Sequence, residues 1–470
     1  MGGHASGEAM PAPAPAIIEA MRWSLPDIAE ATGGSLTAGG EPAAGPGRDS
    51  LVVQGVSHDT RSLRPGEMFI AIRAERDGHD FVAHAAAGGA AAVMVEDGPA
   101  VDLPAVMVEH TGEALLDLGR AARRRLSVPV VGITGSVGKT STKDLTAAAL
   151  SAGLRTVASA RSFNNELGVP LTLANAPESC QVAVLEMGAR GPGHISLLCG
   201  VAQPVTGVVT AVAAAHTEMF GGLDGIALAK GELIESLPAS GLAVLNGDDE
   251  RVRRMAGRGP ARALLYSAAT PAAAGAEVVA ENVSLDAELR PRFVVRSPWG
   301  SADVVLEARG IHQVGNALAA LAVAANEGVE LAGAAAALRS AALSPMRMDL
   351  RRARSGAAVL DDSYNANPAS MAAALRALHA LPAGRRVAVL GLMAELGDAR
   401  QEEHLAIADL AGRLGIEVVA VGTSDYGVDP AGDAEEVLRR IGPLGAGDAV
   451  LVKGSRVAAL ERIATRLIED

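Results

Sequence analysis

Residues Gly132–Thr142 read GITGSVGKTST. Just ahead, Val128–Ile133 is an apolar, β-branched run that reads as a buried strand. Just behind, Lys143–Leu150 reads as the first turns of a helix ending near Gly153. Strand, glycine loop, Lys-Thr, helix is the order that holds a phosphate chain. Gly135 and Gly138 let backbone N–H groups approach the phosphates without a Cβ in the way, and the helix N-terminus adds partial positive charge. Lys139 is set to neutralise β/γ-phosphate charge and the Thr140 hydroxyl to ligate Mg²⁺. The common pattern carries a glycine five positions before its Gly-Lys pair. Here that position is Ile133, so the loop is a shorter TGSxGKT variant. The bland alternative is a glycine-rich turn whose lysine faces water. Nucleotide binding alone names no reaction.

The chain has 470 residues, 20% of them charged and 49% apolar. That length predicts roughly two to four domains, and the composition excludes a chain disordered throughout. Net charge is −13 without a long basic block, which argues against a nucleic-acid surface but not against a nucleotide. Cys180 and Cys199 lack ligand-like spacing and read as core thiols in a reducing cytoplasm. No run of roughly 18 apolar residues predicts a membrane span. Residues 1–20 alternate Pro and Ala without the layout of a secretory signal, and read as a disordered leader.

Residues 21–125 read as a small α/β unit. It has a helix at Trp23–Thr32 and strands at Leu51–Val56, Met68–Arg73, Ala91–Val95 and Ala105–Val108. A helix at Phe81–Gly88 lies between them. Its loops carry Ser57-His58-Asp59-Thr60-Arg61 and Asp77-Gly78-His79-Asp80, suited to a polar ligand or simply to solvent. Residues 126–342 hold the phosphate loop. Their later strands each end in a polar group: Gln181–Leu185 delivers Glu186, Val205–Val212 leads to His216, and Leu242–Leu245 leads to Asn246-Gly247-Asp248-Asp249. In an open parallel sheet these ends share one edge with the loop. Thr140, Glu186 and His216 could therefore meet on one Mg²⁺, although Mg²⁺ prefers oxygen to imidazole. Lys230, in a helix near Gly225–Ser236, reads on its own as a solvated lysine. Arg292–Val295 and Asp303–Glu307 suggest appended antiparallel strands, and Asn316 opens an alanine-rich helix. Residues 343–470 alternate strands at Ala357–Leu360, Arg386–Leu390, Ile416–Val421 and Ala449–Val452 with helices, a separate Rossmann-like α/β domain without a dinucleotide fingerprint. The whole predicts an α/β chain of three domains.

TGSVGKTST, NNELGVPLT, EMGARGPGHI, AHTEMFGG…AKGE, LNGDD, GIHQVGNALAA, RMD, DDSYNANPASM, LGLMAELG and LVKGSR follow one another in this order. Together they resemble the Mur ligase family, ATP-dependent amide-forming enzymes of cell-wall precursor synthesis. DDSYNANP with LGLMAELG and LVKGSR is similar to the member that adds D-alanyl-D-alanine to UDP-N-acetylmuramoyl-tripeptide. The resemblance implies that the first domain binds the UDP substrate, the second binds ATP, and the third closes over both. It implies an acyl-phosphate intermediate and a cytoplasmic monomer.

Residue by residue, the resemblance implies ATP contacts at Gly135, Ser136, Gly138, Lys139, Thr140, Ser141, Asn316, Arg347 and Asp362. It implies metal ligation by Thr140, Glu186, His216 and Lys230, the lysine being a candidate for carbamylation. Lys139, His216, Lys230 and Arg347 are the implied catalytic groups. Substrate contacts are implied at Ser57, Thr60, Arg61, Asp80, Asn164, Asn165, Glu166, Tyr364, Asn365, Asn367 and Lys453. The family's usual His-Asn before the adenine-contacting helix is here His312-Gln313, which leaves the adenine contact to Asn316. The preceding ligase of the pathway, folylpolyglutamate synthase and a regulatory P-loop NTPase stay open as alternatives. DDSYNANP argues against the first two.

Overall fold

The computed structural model describes residues 20–38, 41–42, 51–98, 101–214 and 217–469. Residues 1–19 of the expected leader, and His216, lie outside them. One compact unit takes in the described residues up to Ala114 with Ala174–Glu178. The other takes in Leu115–Leu173 and the chain from Ser179 onward.

In the first unit six strands pair in the order Glu41–Pro42, Ser35–Ala38, Pro104–Met107, Ala92–Val95, Met68–Ile70, Val56–Ser57. The last four of these run parallel. The run expected as one strand, Leu51–Val56, is divided. Val52–Gln54 pairs antiparallel with Arg22–Ser24, whereas Val56–Ser57 joins the larger sheet. The division falls at Gly55, whose backbone stands at φ +98°, and beyond it the Asn175 amide accepts from Val56 N at 2.8 Å and donates to Val56 O at 2.9 Å. The first helix begins at Leu25, later than expected from Trp23, because the Ser24 side chain caps it and Pro26 sits in its first turn.

The second unit contains a nine-stranded and a five-stranded sheet. The larger is ordered Thr156–Ala158, Val182–Glu186, Val130–Thr134, Thr206–Val209, Leu242–Asn246, Arg262–Ser267, Ala276–Leu285, Pro291–Ser297, Gly300–Val305. Its first seven strands run parallel, and the last two continue antiparallel from the seventh, Ala276–Leu285, as the alternating segments after residue 276 suggested. Val131 and Ile133 point into one apolar layer, formed with the helices Lys139–Ser151, Gln313–Asn326 and Leu331–Leu338. Gly132 faces the opposite layer, against Leu233 and Met187, as the two-residue strand period requires. The helix at the loop starts at Lys139, earlier than the expected Lys143. Its first turn is Lys-Thr-Ser-Thr, in which the three hydroxyl residues are weak helix formers and no apolar periodicity shows.

The five-stranded sheet is ordered Asp349–Arg352, Ala358–Asp361, Asp448–Lys453, Arg385–Leu390, Glu417–Ala420. All of it except the first strand is parallel. Helices Pro368–Ala380 and Arg400–Arg413 cover one face, and Ala434–Ile441 and Glu461–Glu469 cover the other.

Helix Gln313–Asn326 is buried along nearly its whole length, Ala317–Val323 included. Alanine lets its backbone lie close to the sheet and to helix Lys139–Ser151. Ala320→Leu has no space to fill and is expected to destabilise the fold by about 1–3 kcal/mol through overpacking. Urea unfolding of the two proteins side by side measures this, and a gain in stability would contradict the close approach.

Candidate active site

The loop Gly135-Ser136-Val137-Gly138 leaves the carboxyl end of strand Val130–Thr134. Gly138 stands at φ +83° at the head of the helix, and a Cβ there would lie 2.7 Å from Asn316 Oδ1. At Gly135 a Cβ would lie 1.9 Å from Thr210 Oγ1. That hydroxyl donates to Val137 O at 2.5 Å, and Ser136 N donates to Ala211 O at 2.8 Å. The loop is thereby tied to the end of the neighbouring strand.

A cleft of about 720 Å³ opens here. It is lined from the larger sheet by Gly135, Ser136, Gly138, Lys139, Thr140, Ser141, Asn164, Asn165, Glu166, Glu186, Lys230 and Asn316, and from the smaller sheet's side by Arg347, Asp362, Tyr364, Asn365, Asn367 and Lys453. The structure thus brings these residues together. Ser57, Thr60, Arg61 and Asp80 belong to the first unit. There Asp59 is held to about 2 by its hydrogen bond from Arg61, at 2.6 Å.

Lys139 Nζ folds back on Gly135 O at 2.7 Å. Burial holds its pKa below the usual lysine range, opposed by Glu186 and aided by Arg347. Glu186 ends its strand almost fully buried. Its Oε1 accepts from Asn164 Nδ2 at 2.7 Å, and its Oε2 is buried without a hydrogen-bond partner among the described residues. Lys230 is buried rather than solvated. Burial, and then the charge of Lys139, brings its amine down to about 7.

Arg347 crosses from the smaller sheet's side. Its Nη2 donates to Thr140 Oγ1 at 2.8 Å and to Ser162 Oγ at 3.2 Å, and its guanidinium stacks 4.3 Å from the Tyr364 ring centre. Lys453 Nζ donates to Asp362 Oδ2 at 2.6 Å and to Asn365 O at 2.8 Å. Asp362 Oδ1 accepts from Met348 N. Asn316 Oδ1 accepts from Thr142 Oγ1 at 3.1 Å, and its Nδ2 donates to Gln313 Oε1 at 2.8 Å. Gln313 is therefore a buried partner of Asn316 in this structure.

Two of the expected substrate residues also serve the backbone. Asn165 Oδ1 accepts from Leu167 N and Gly168 N at the head of helix Gly168–Ala174. Asn367 forms a capping box with Ser370 on helix Pro368–Ala380. Sequence reasoning missed Ser162 and Thr210. Ser162 carries no motif signal, but Thr210 directly follows strand Thr206–Val209 at the edge that bears the loop and was open to inference. His216 lies outside the described residues, among which no trio of His, Cys, Asp or Glu side chains converges as a metal cluster.

The donor types fit a hard divalent cation: the cleft is lined by Glu186, with its orphan buried carboxylate oxygen, and by Thr140, with its hydroxyl. Gly138→Ala is expected to weaken ADP binding about tenfold, from left-handed strain of about 1–2 kcal/mol and the push on Asn316. Calorimetry reads the affinity, and unchanged affinity would show that the loop tolerates a side chain there.

Comparison with known proteins agrees with this layout. The Mur ligase middle domain model matches residues 133–324, and the Mur ligase, glutamate ligase domain model matches residues 346–467. The UDP-N-acetylmuramoyl-tripeptide–D-alanyl-D-alanine ligase of Escherichia coli is 37% identical, over 89% of this chain and 95% of its own. A crystal structure of MurF from Acinetobacter baumannii superposes with a TM-score of 0.83 at 29% identity, covering 96% of this chain and 100% of that one. MurF ligase from Thermotoga maritima, solved in complex with ADP, superposes with a TM-score of 0.76 at 28% identity, covering 88% and 96%. With its middle and C-terminal domains matched, and a relative 37% identical over 89% of its length, the chain belongs to the Mur ligase family.

Proposed function

We propose that the protein is an ATP- and Mg²⁺-dependent ligase joining D-alanyl-D-alanine to UDP-N-acetylmuramoyl-tripeptide, in cytoplasmic peptidoglycan precursor synthesis. The observation that carries this reading is the bond from Arg347 to Thr140. It unites a phosphate-binding loop with the polar loops of a second α/β sheet in one cleft. A nucleotide switch has no need of that second set.

A carboxylate does not react with an amine at neutral pH. In the proposed reaction its oxygen attacks the γ-phosphorus, ADP leaves, and an acyl phosphate forms. The dipeptide amine then attacks the acyl carbon, phosphate leaves, and the amine's surplus proton passes to solvent. The first step brings two anions together, so the site must supply positive charge. Lys139 and Arg347 are the chain's contributions. Thr140 and the orphan Glu186 Oε2 would hold Mg²⁺, with His216 as a further ligand, and the ion would screen phosphate charge. Asn316 would meet the adenine. Ser57, Thr60, Arg61 and Asp80, in residues 21–125, would meet the UDP substrate. Residues 126–342 would bind ATP, and residues 343–470 would close over it.

Lys230 supports a carbamate. A pKa of about 7 leaves much of the amine neutral at neutral pH, and that is the form that adds CO₂. The product is an anion with oxygen donors, suited to a second Mg²⁺. The protein is proposed to act as a monomer. Among its described residues no helix is long and apolar enough to cross a membrane.

Phosphate release is expected only when UDP-N-acetylmuramoyl-tripeptide and D-alanyl-D-alanine are both present. Release that needs neither would end the ligase reading. Lys139→Ala is expected to abolish turnover yet keep UDP-substrate binding, as measured by calorimetry. In ¹³C-bicarbonate a carbamate carbon signal is expected that strengthens as pH rises through about 7 and is lost in Lys230→Ala. Its absence from the wild type would remove carbamylation.

A further inference from the structure

Beyond Arg347, three loops are stitched together at Ser455. Ser455 N donates to Leu392 O at 2.9 Å, and its Oγ accepts from Ala394 N at 2.9 Å and donates to Ala366 O at 3.3 Å. The Gly391–Glu395 loop is fixed from behind as well. His404 Nε2 accepts from Met393 N at 2.9 Å, and Tyr426 Oη donates to Gly391 O at 2.7 Å. A backbone N–H can only donate, so the proton of His404 sits on Nδ1, 2.6 Å from Arg400 O. This much anchoring holds one stretch of cleft wall rigid.

The anchored loops present a consistent set of groups to the cleft. From helix Pro368–Ala380 come Ala369 and Ala373, four residues apart on one face, and from the turn after Ser455 comes Val457, 76% exposed. These are small apolar surfaces, one of them left in water. Arg456 lies beside Val457 and is more than half exposed. It uses one N–H on Glu461 at 2.8 Å, which orients the guanidinium while four donors remain. Glu395 carries a carboxylate to the same wall from a backbone at φ +63°. Left-handed backbone at a residue other than glycine is held by its surroundings and is found preferentially at ligand sites.

We infer that this wall is the gauge for the amino substrate: Ala369, Ala373 and Val457 limit its side-chain size, and Arg456 takes its terminal carboxylate. A zwitterionic dipeptide with methyl side chains matches an acid, a base and small apolar surfaces between them. This wall lines the same cleft as the phosphate loop, and Tyr364 stacks on Arg347, which bonds Thr140 of that loop, so on the ligase reading an amine bound here shares the cleft with the acyl phosphate. The inference rests on the ligase reading but is tested separately from it.

The experiment follows phosphate release at saturating ATP and UDP-substrate while the dipeptide is varied, with thermal melts of every variant. Ala373→Leu is expected to raise KM for D-alanyl-D-alanine about tenfold or more and to affect glycylglycine far less, the scale of a few methylenes in an apolar site. Val457→Ala, a surface change with little influence on folding, is expected to shift selectivity severalfold toward dipeptides with larger side chains. Arg456→Gln is expected to raise KM about tenfold or more for D-alanyl-D-alanine but not for its C-terminal amide. In all three KM for ATP stays within about twofold. Unchanged side-chain selectivity in the first two variants, or equal loss of acid and amide in the third, overturns the assignment. A wild type that releases no phosphate with any dipeptide overturns the ligase reading instead.

Discussion

Parallel pairing in register is the constraint from which the site follows. Ile133 lies opposite both Glu186 and Val208, Thr134 opposite Val209, and Asn246 opposite Tyr266. Strands aligned in this way end at one edge, so whatever follows each of them is delivered to the same place. Their interiors are covered on both faces and are almost uniformly apolar. That edge is therefore where the polar residues of these strands emerge. Thr210 emerges there and holds the phosphate loop, and Asn246 Nδ2 holds Thr210 O in turn at 2.8 Å.

Buried lysines show how position decides between structure and chemistry. Lys143 is almost fully buried, yet it is surrounded by acceptors: Ser159 O at 2.8 Å, Arg161 O at 3.0 Å and Asp144 Oδ1 at 2.7 Å. That charge is satisfied by the fold, and it fastens the segment before Ser162 to the helix of the phosphate loop. Lys230 is buried to a similar degree, but its ionisation is governed by lost solvation and a neighbouring cation, both of which favour the neutral amine. One lysine is a fastener, and the other, on the proposed reading, is left as a neutral amine able to react.

The parts legible in the sequence were those whose chemistry is local. The phosphate loop shows in consecutive residues, and Glu186 shows because it follows directly on an apolar run. The antiparallel extension after residue 276 showed in its alternation. Illegible were the polar residues whose partners are far away in the chain. Ser455 unites Ala366, Leu392 and Ala394, partners that LVKGSR gives no hint of, and His404 supports Met393 though nothing near it marks it out. Asn165 and Asn367 illustrate the converse. Asparagine suits a ligand and a helix cap equally, and only the structure shows the capping bonds. The missed start of the loop helix has the same origin, since Gly138 caps it without a side chain.

The two groups left incomplete in the cleft are of opposite sign. Arg347 is held by neutral hydroxyls and an aromatic face, and its Nε is buried without a hydrogen-bond partner among the described residues. Glu186 is held by one amide and lies within electrostatic reach of Lys139, yet its Oε2 is buried without a hydrogen-bond partner among the described residues. A buried charged group with an unsatisfied atom is costly, and the cost falls when a counter-charge arrives. An anion alone would relieve the arginine and aggravate the glutamate, and a cation alone would do the reverse. A phosphate chain carrying its divalent ion satisfies both at once. On the proposed reading, preference for the metal complex of the nucleotide over free nucleotide is thus a property of these two side chains. Because Arg347 comes from beyond the larger sheet, that same complex would favour the closed cleft.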